Sequence, residues 1–232
     1  MQEIGFDILG DLNLGPNDSF NWEYKQTSLY CILTGNISSN LRTIKQTLMH
    51  LGRFYQGVFY VPGMLEYETG DCIPDRLQEI LEITKNIPNI CMLHQHVAVI
   101  DGIAITGVNG WSNAGNNFTY ENLLEGVARH EDTFYLRNSI SKLQRHLDVK
   151  KIIVVTNAVP HAELYFKENP GYIEDQTPLR DVLDADTENK VSHWVFGTYD
   201  KPVDSFIDHI HYMNNPRPAN APYWPKRLNI LI

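Results

Sequence analysis

Val58-Phe59-Tyr60-Val61-Pro62-Gly63-Met64-Leu65-Glu66 is the stretch on which the fold turns. Its first four residues form an unbroken apolar run rich in β-favouring side chains, the mark of a strand covered on both faces. Pro62-Gly63 then ends it, because proline removes a ladder donor and glycine admits a sharp change of direction. The same event recurs outward in both directions. Toward the amino terminus, an apolar run over 28–33 opens into Thr34-Gly35-Asn36, and one over 4–10 opens into Asp11-Leu12-Asn13. Toward the carboxyl terminus, 151–155 leads into Thr156-Asn157, and 193–196 into Gly197-Thr198-Tyr199-Asp200.

Helical patterns lie between these strands. Leu41, Ile44, Leu48 and Leu51 recur at helical spacing behind Ser38 and Ser39, which predicts a capped helix over about 40–54. Pro74 suits a first helical turn, and Leu77, Ile80, Leu81 and Thr84 carry that helix toward Pro88. Leu136, Ile140, Leu143 and Leu147 predict another over about 133–147. Two apolar runs about Asp101-Gly102 predict a β-hairpin. Residues 206–212 read as one half-exposed strand, 113–117 as a polar loop, 181–188 as a solvated acidic face, and 214–225 as an irregular Pro/Asn-rich strap. With no repeat or composition break, one domain over 1–232 is the simplest organisation, of the α/β layered class.

Bulk properties exclude several function classes. The formal charge of -9, with Pro225-Lys226-Arg227 as the densest basic cluster, argues against nucleic-acid binding. No apolar run approaches the roughly 20 residues that span a bilayer, and no signal peptide is legible, so no membrane contact and a cytoplasmic location are expected. Cys31, Cys72 and Cys91 form no CxxC pair and read as free thiols. No GxSxG elbow, P-loop, Rossmann fingerprint or HExxH is present.

The ordered loops resemble the motifs of the calcineurin-like metallophosphoesterases over about residues 4–218. The family's Asp-x-His reads here as Asp11-Leu12-Asn13, and its Gly-Asp as Gly35-Asn36. Its Gly-Asn-His-Glu reads as Gly63-Met64-Leu65-Glu66 behind Val61-Pro62, its Val-Thr-His as Val155-Thr156-Asn157, and its Gly-His-x-His as Gly197-Thr198-Tyr199-Asp200. The hairpin about Asp101-Gly102 with Gly107 and Trp111, and Asn215-Pro216-Arg217, are also similar to family segments. The resemblance implies a four-layer sandwich, two facing mixed sheets with helices outside and the family's metal ligands on loops at one end.

It also implies a chemistry that the residues oppose. The family clamps phosphate between two divalent ions roughly 3.5–4 Å apart. Such ions repel by roughly 18 kcal/mol even at an effective dielectric of about 20, and the family's bridging aspartate offsets this. Asn36 supplies a neutral amide there. Met64 brings a thioether, a poor partner for hard ions. Leu65 stands where the family's protonating histidine would, and Asn157, Thr198 and Asp200 stand where imidazoles would. Asp11 alone matches its expected ligand, with Glu66 as a retained neighbour and Asn13 at the rim. No catalytic residue and no cofactor are therefore expected. The alternative is a weakly bound divalent cation between Asp11 and Asp200, with His161 as a replacement ligand. The paired histidines His94/His96 and His209/His211 lack a third ligand nearby in sequence. Trp111 and Trp194 read as core aromatics.

The reading that follows is a catalytically inactive phosphoesterase-like scaffold, a binding or structural module for a protein partner or a second copy of the chain. Its candidate exposed surfaces are the 113–117 loop and the 214–224 tail, where Tyr223 and Trp224 offer aromatic anchors; the alternative is that both aromatics pack onto their own domain. The alternatives are a metal-dependent phosphoesterase with a rebuilt site, and a sensor holding a phosphate-bearing small molecule with neutral asparagines.

Overall fold

Strand β1 (Glu3–Leu9) explains the unbroken apolar runs, because its two faces enter two different cores. Ile4, Phe6 and Ile8 face the second sheet, while Leu9 faces the helices outside. The structure, a computed structural model, describes residues 2–69, 72–111, 120–161, 163–166, 179 and 181–232. The first sheet has the order β11-β1-β2-β3-β4, with β2 (Tyr30–Leu33), β3 (Gly57–Tyr60), β4 (Ile90–Met92) and β11 (Lys226–Leu231). Its pairs are parallel except for antiparallel β1 and β11. The second sheet has the order β5-β6-β7-β8-β10-β9. It comprises β5 (His96–Ile100), β6 (Ile103–Val108), β7 (Lys151–Thr156), β8 (Val191–Phe196), β9 (Asp204–Ile207) and β10 (Ile210–Met213). There β5/β6 and β9/β10 are antiparallel and the remaining pairs parallel.

Three cores separate four layers. Between the sheets, Phe6, Ile8, Ile32 and Phe59 meet Ile105, Ile153, Val155 and Val195. Outside the first sheet lie α1 (Leu41–Leu51) and α3 (Ile73–Thr84), whose Ile44, Leu48, Leu51 and Ile80 cover Leu33, Val58 and Tyr60. Outside the second sheet lie α4 (Tyr120–Leu143) and a 3-10 turn (Val182–Ala185), whose Leu136, Ile140 and Val182 cover Ile152, Val154 and Trp194. Ile44, Leu48 and Leu51 are fully buried, and each contributes about 1.5–3 kcal/mol by leaving water. Two short helices, α2 (Met64–Tyr67) and α5 (Glu163–Phe166), complete the set. Among the described residues no helix is long and apolar enough to cross a membrane.

The structure departs from several sequence expectations. The expected strand over 206–212 is a hairpin, β9 and β10, turning at Asp208 with φ 53°. His209 therefore sits in the turn, apart from the strand that carries His211. Helix α4 begins 13 residues before the expected Thr133. Its first half has good helix formers, such as Leu124, Glu125 and Ala128, without a clean apolar stripe. It ends at Leu143, and Leu147 is 95% exposed rather than part of the apolar face. Asn40, not Ser38 or Ser39, caps α1, accepting from Thr43 N at 3.1 Å. Ser38 instead donates to Leu14 O.

The acidic stretch 181–188 is only partly a solvated face. Val182 is fully buried, and buried Asp186 accepts from Lys190 N and Val191 N. Strands β4 and β11 had no expectation at all. Residues 214–225 carry no strand, only an isolated bridge between Gly10 and Pro216. The expected 113–117 loop lies outside the described residues. Trp111 and Trp194 are core aromatics, 4% and 1% exposed.

Candidate functional site

Five loops leave the carboxyl ends of parallel strands and converge at one end of the sandwich, the usual place for a site in sheets of this kind. They carry Asp11 after β1, Asn36 after β2, Gly63 after β3, Asn157 after β7 and Thr198 after β8. Their backbones are unusual. Asp11, Asn13, Asn36 and Thr198 have φ of 48°, 46°, 52° and 52°. Aspartate and asparagine tolerate this region, but a β-branched threonine there is strained.

The four side chains Asp11, Asn36, Asn157 and Thr198 form one hydrogen-bond network. Asn36 Nδ2 donates to Asp11 Oδ1 at 2.7 Å and to Thr198 Oγ1 at 3.3 Å. Asn36 Oδ1 accepts from Leu65 N at 3.0 Å. Thr198 N donates to the same Asp11 Oδ1 at 3.1 Å, and Thr198 Oγ1 donates to Asn157 Oδ1 at 2.6 Å. Asn157 Oδ1 also accepts from Met64 N at 3.2 Å, while its Nδ2 donates to Thr34 O at 2.7 Å. These partners fix both amide orientations. Flipping Asn36 would set its nitrogen against the Leu65 N–H and its oxygen against a carboxylate. Flipping Asn157 would set nitrogen against the Met64 N–H and oxygen against a carbonyl. The two amides thus cap the first N–H groups of α2, which would otherwise lack partners.

Glu66 holds the loops in register. It is fully buried and accepts from Asn36 N at 2.9 Å, Ile37 N at 2.7 Å and Gly63 N at 2.8 Å, and from Tyr60 OH at 3.2 Å. Burial pushes its carboxyl up to about 7, with the backbone N–H donors pulling the other way. Buried Arg76 of α3 donates to Glu66 O at 2.6 Å and to Ser39 O at 2.5 Å, tying α2 to the loop before α1. Neither role was read from the sequence. The available signal for Arg76 was an arginine four residues before Ile80 on the apolar face of α3.

Two glycines make the close approach possible. Gly35 has φ 84°, where a side chain is strained. A Cβ on Gly63 would strike Asn36 Oδ1 and come within 2.6 Å of Asn157 Nδ2. The 214–225 strap closes the far side. Tyr223 donates to Asn215 O at 2.7 Å and accepts from Gly10 N at 2.9 Å, and Arg217 donates to Leu12 O at 2.8 Å. Tyr223 is therefore a buried strut rather than an exposed anchor, while Trp224 is 58% exposed beneath the Lys25 ammonium.

The remaining candidates have various fates. Asp11 is buried, and burial raises its carboxyl pKa against the hydrogen bonds from Asn36, Thr198 and Tyr199, with the Asp200 charge adding to the rise. Asp200 is exposed. Asn13 is exposed and donates to Asp11 O. Met64 and Leu65 are half-buried at the start of α2. His161 packs on Tyr212 at 5.9 Å and accepts from Glu163 N, outside the four-residue network. Among the described residues, no three His, Cys, Asp or Glu groups come together in a way that could hold a metal ion.

No protein-family model matches the chain. An uncharacterized protein of Acanthamoeba polyphaga mimivirus, L509, is 27% identical over 110 residues, 45% of this chain and 36% of that protein. The chain thus spans about a third of the length of this relative. Among solved structures, phosphopantetheinyl hydrolase from Mycobacterium tuberculosis superposes with a TM-score of 0.67 at 14% identity, covering 97% of this chain and 96% of that one. A putative 5'-nucleotidase from Staphylococcus aureus, solved with alpha-ketoglutarate, gives 0.55 at 10% identity, covering 93% and 49%. GAP50 of Plasmodium gives 0.55 at 16% identity, covering 92% and 71%. At these identities the likeness is one of fold, and the fold is that of the metallophosphoesterases.

Proposed function

We propose that the chain is a metallophosphoesterase-fold protein that has lost two-metal hydrolysis and serves as a binding or structural module. One observation carries the reading: the amide nitrogen of Asn36, not an oxygen, faces Asp11 Oδ1 at 2.7 Å. The residues present do not fit a pair of divalent ions. Asp11 Oδ1 already accepts two N–H donors, and releasing it means breaking the locked Asn36 amide. Asn157 turns its oxygen to Met64 N and the Thr198 hydroxyl. Thr198 and Leu65 bring no imidazole. A network whose donors and acceptors satisfy one another gains nothing by admitting an ion, whereas an emptied polar site would leave unpaired groups.

The fold alone does not decide between roles. One structural neighbour is described as a hydrolase, and another, GAP50, as the anchor in the inner membrane complex of Plasmodium. A module of this kind binds a protein partner or a second copy of the chain, with exposed Trp224 and Tyr24 as available contact residues.

A second reading, a metal-dependent phosphoesterase with a rebuilt site, has the Asp11–Asp200 pair in its favour, because the Asp200 charge acts on Asp11. Turnover of bis-p-nitrophenyl phosphate with and without Mn2+ separates the two. The module reading expects no rate above buffer and no difference between the protein and Asp11→Ala. A Mn2+-dependent rate that Asp11→Ala abolishes would establish the hydrolase.

A further inference from the structure

A cavity of about 240 Å³ lies beside α2, between α3, α4 and residues 109–111 after β6. Its walls combine three features. The first is aromatic: Tyr67 and Trp111 line it with ring centroids 4.8 Å apart and planes inclined at 57°. The second is apolar: Ile73 and Leu77 of α3 and Val127 and Ala128 of α4 form facing sides. The third is acidic. Glu131 stands exposed at the rim, and Asp132 lines the interior while only 3% exposed. Asp132 spends Oδ2 on Gly110 N at 2.9 Å, and among the described residues no donor engages Oδ1. No lysine or arginine is among the described lining residues. His94, also in the wall, is kept neutral at pH 7 by burial, which lowers its pKa.

We propose that this cavity is a binding site for a small organic cation, an amine or quaternary ammonium carried on an apolar body. Aromatic faces attract a cation through their quadrupole, most strongly once it is desolvated. The exposed Glu131 carboxylate at the rim draws the charge in, and Asp132 inside, whose carboxyl burial pushes up to about 7, offers Oδ1 to the head group and is drawn to its ionised form by it. The apolar walls take the body, as small-molecule sites usually do. The same walls disfavour phosphate esters, since a desolvated anion would meet the Glu131 and Asp132 carboxyls with no basic side chain from the described wall. The site goes beyond the role proposed above and does not need it, because either a module or a hydrolase could carry it. Its link to the converging loops is α2, whose first N–H groups are capped by Asn36 and Asn157 and whose last residue is Tyr67.

Three probes of similar frame and different charge test the proposal by isothermal titration calorimetry: benzyltrimethylammonium, benzyl alcohol and phenylacetate. Benzyltrimethylammonium should bind with Kd below about 1 mM and at least about tenfold more tightly than the other two. Glu131→Gln should weaken it by about threefold to tenfold, and added salt should do the same. Ala128→Trp and Leu77→Trp, on opposite walls, should each abolish binding, and far-UV circular dichroism identifies the variants that fold. Equal binding of benzyl alcohol or phenylacetate would overturn the proposal. So would the absence of heat from the cation up to about 10 mM, or full binding to a folded wall-filling variant. Loss of metal chemistry leaves these outcomes unchanged, so the two claims fail separately.

Discussion

The Asn36 side chain uses both its oxygen and its nitrogen within the chain: Leu65 N donates to it, and it donates to Asp11 and Thr198. Changing it to aspartate would set two carboxylates at hydrogen-bond distance, where they must share a proton or repel. Asn36→Asp should therefore destabilise the metal-free protein by about 1–3 kcal/mol at pH 7. The loss should shrink near pH 5, where one proton is shared. Urea unfolding at the two pH values measures this, and a variant as stable as the parent at pH 7 without metal would refute the network's role. The identities at positions 11, 36, 157 and 198 were legible in the sequence, because small polar residues followed each strand. Their mutual pairing was not, since amide orientation depends on partners up to 162 residues away, as with Asn36 and Thr198. Glu66 shows the same limit: a glutamate after a strand gives no sign that it will accept three backbone N–H groups from two loops.

At the scale of elements, strands buried on both faces were readable, and so was the edge strand β5 through its Asp101-Gly102 turn, but the edge strands β4 and β11 were not. β3 and β7 announced themselves as apolar runs, but β11 alternates, with Leu228 and Ile230 2% exposed and Leu231 59% exposed. Its short pattern lies just after a proline-rich strap that masks its start. β9 and β10 were read as one strand because Asp208-His209 is not a glycine turn; Asp208 takes the left-handed conformation itself. β11 is nonetheless a structural closure, pairing with β1 from Glu3↔Leu231 to Ile8↔Lys226. Leu228→Ala should cost about 2–5 kcal/mol, the usual range for a buried leucine. A loss below about 0.5 kcal/mol in chemical denaturation would place Leu228 outside the inter-sheet core.

Across the whole molecule, buried ionisable groups set the pH response. Burial pushes Glu66 and Asp132 up to about 7. A carboxyl whose folded pKa exceeds its unfolded value of about 4 stabilises most below that value, and the contribution is lost as pH rises through about 7. Burial acts oppositely on His50, His94 and His193, the last lowered to about 4. Their contribution is present above about 6.5 and lost as pH falls toward 4. Between pH 6.5 and 7.5 the unfolded histidines, still about half protonated at about 6.5, oppose the carboxyls. Asp132→Asn removes a carboxyl that pulls stability down as pH rises, so the variant's urea midpoint should climb relative to the parent's across that interval. Parallel pH profiles for parent and variant would contradict the burial of Asp132.

The α/β layered class was legible from the strand-to-loop transitions and the four-layer architecture from the family resemblance of their loops, while the ligand class of the cavity beside α2 was not. That cavity is assembled from Tyr67, His94, Trp111 and Asp132, which no local pattern unites. The same separation between scaffold and chemistry bears on the proposed loss of the two-metal site. Elemental analysis of protein purified without chelator, equilibrated with excess Mn2+ and desalted, tests that loss most directly. Well under one ion per chain is the predicted result, because Asn36, Asn157 and Thr198 satisfy one another and leave Asp11 with two N–H donors on one oxygen. Close to two retained ions per chain, the complement of a two-metal phosphoesterase, would contradict it.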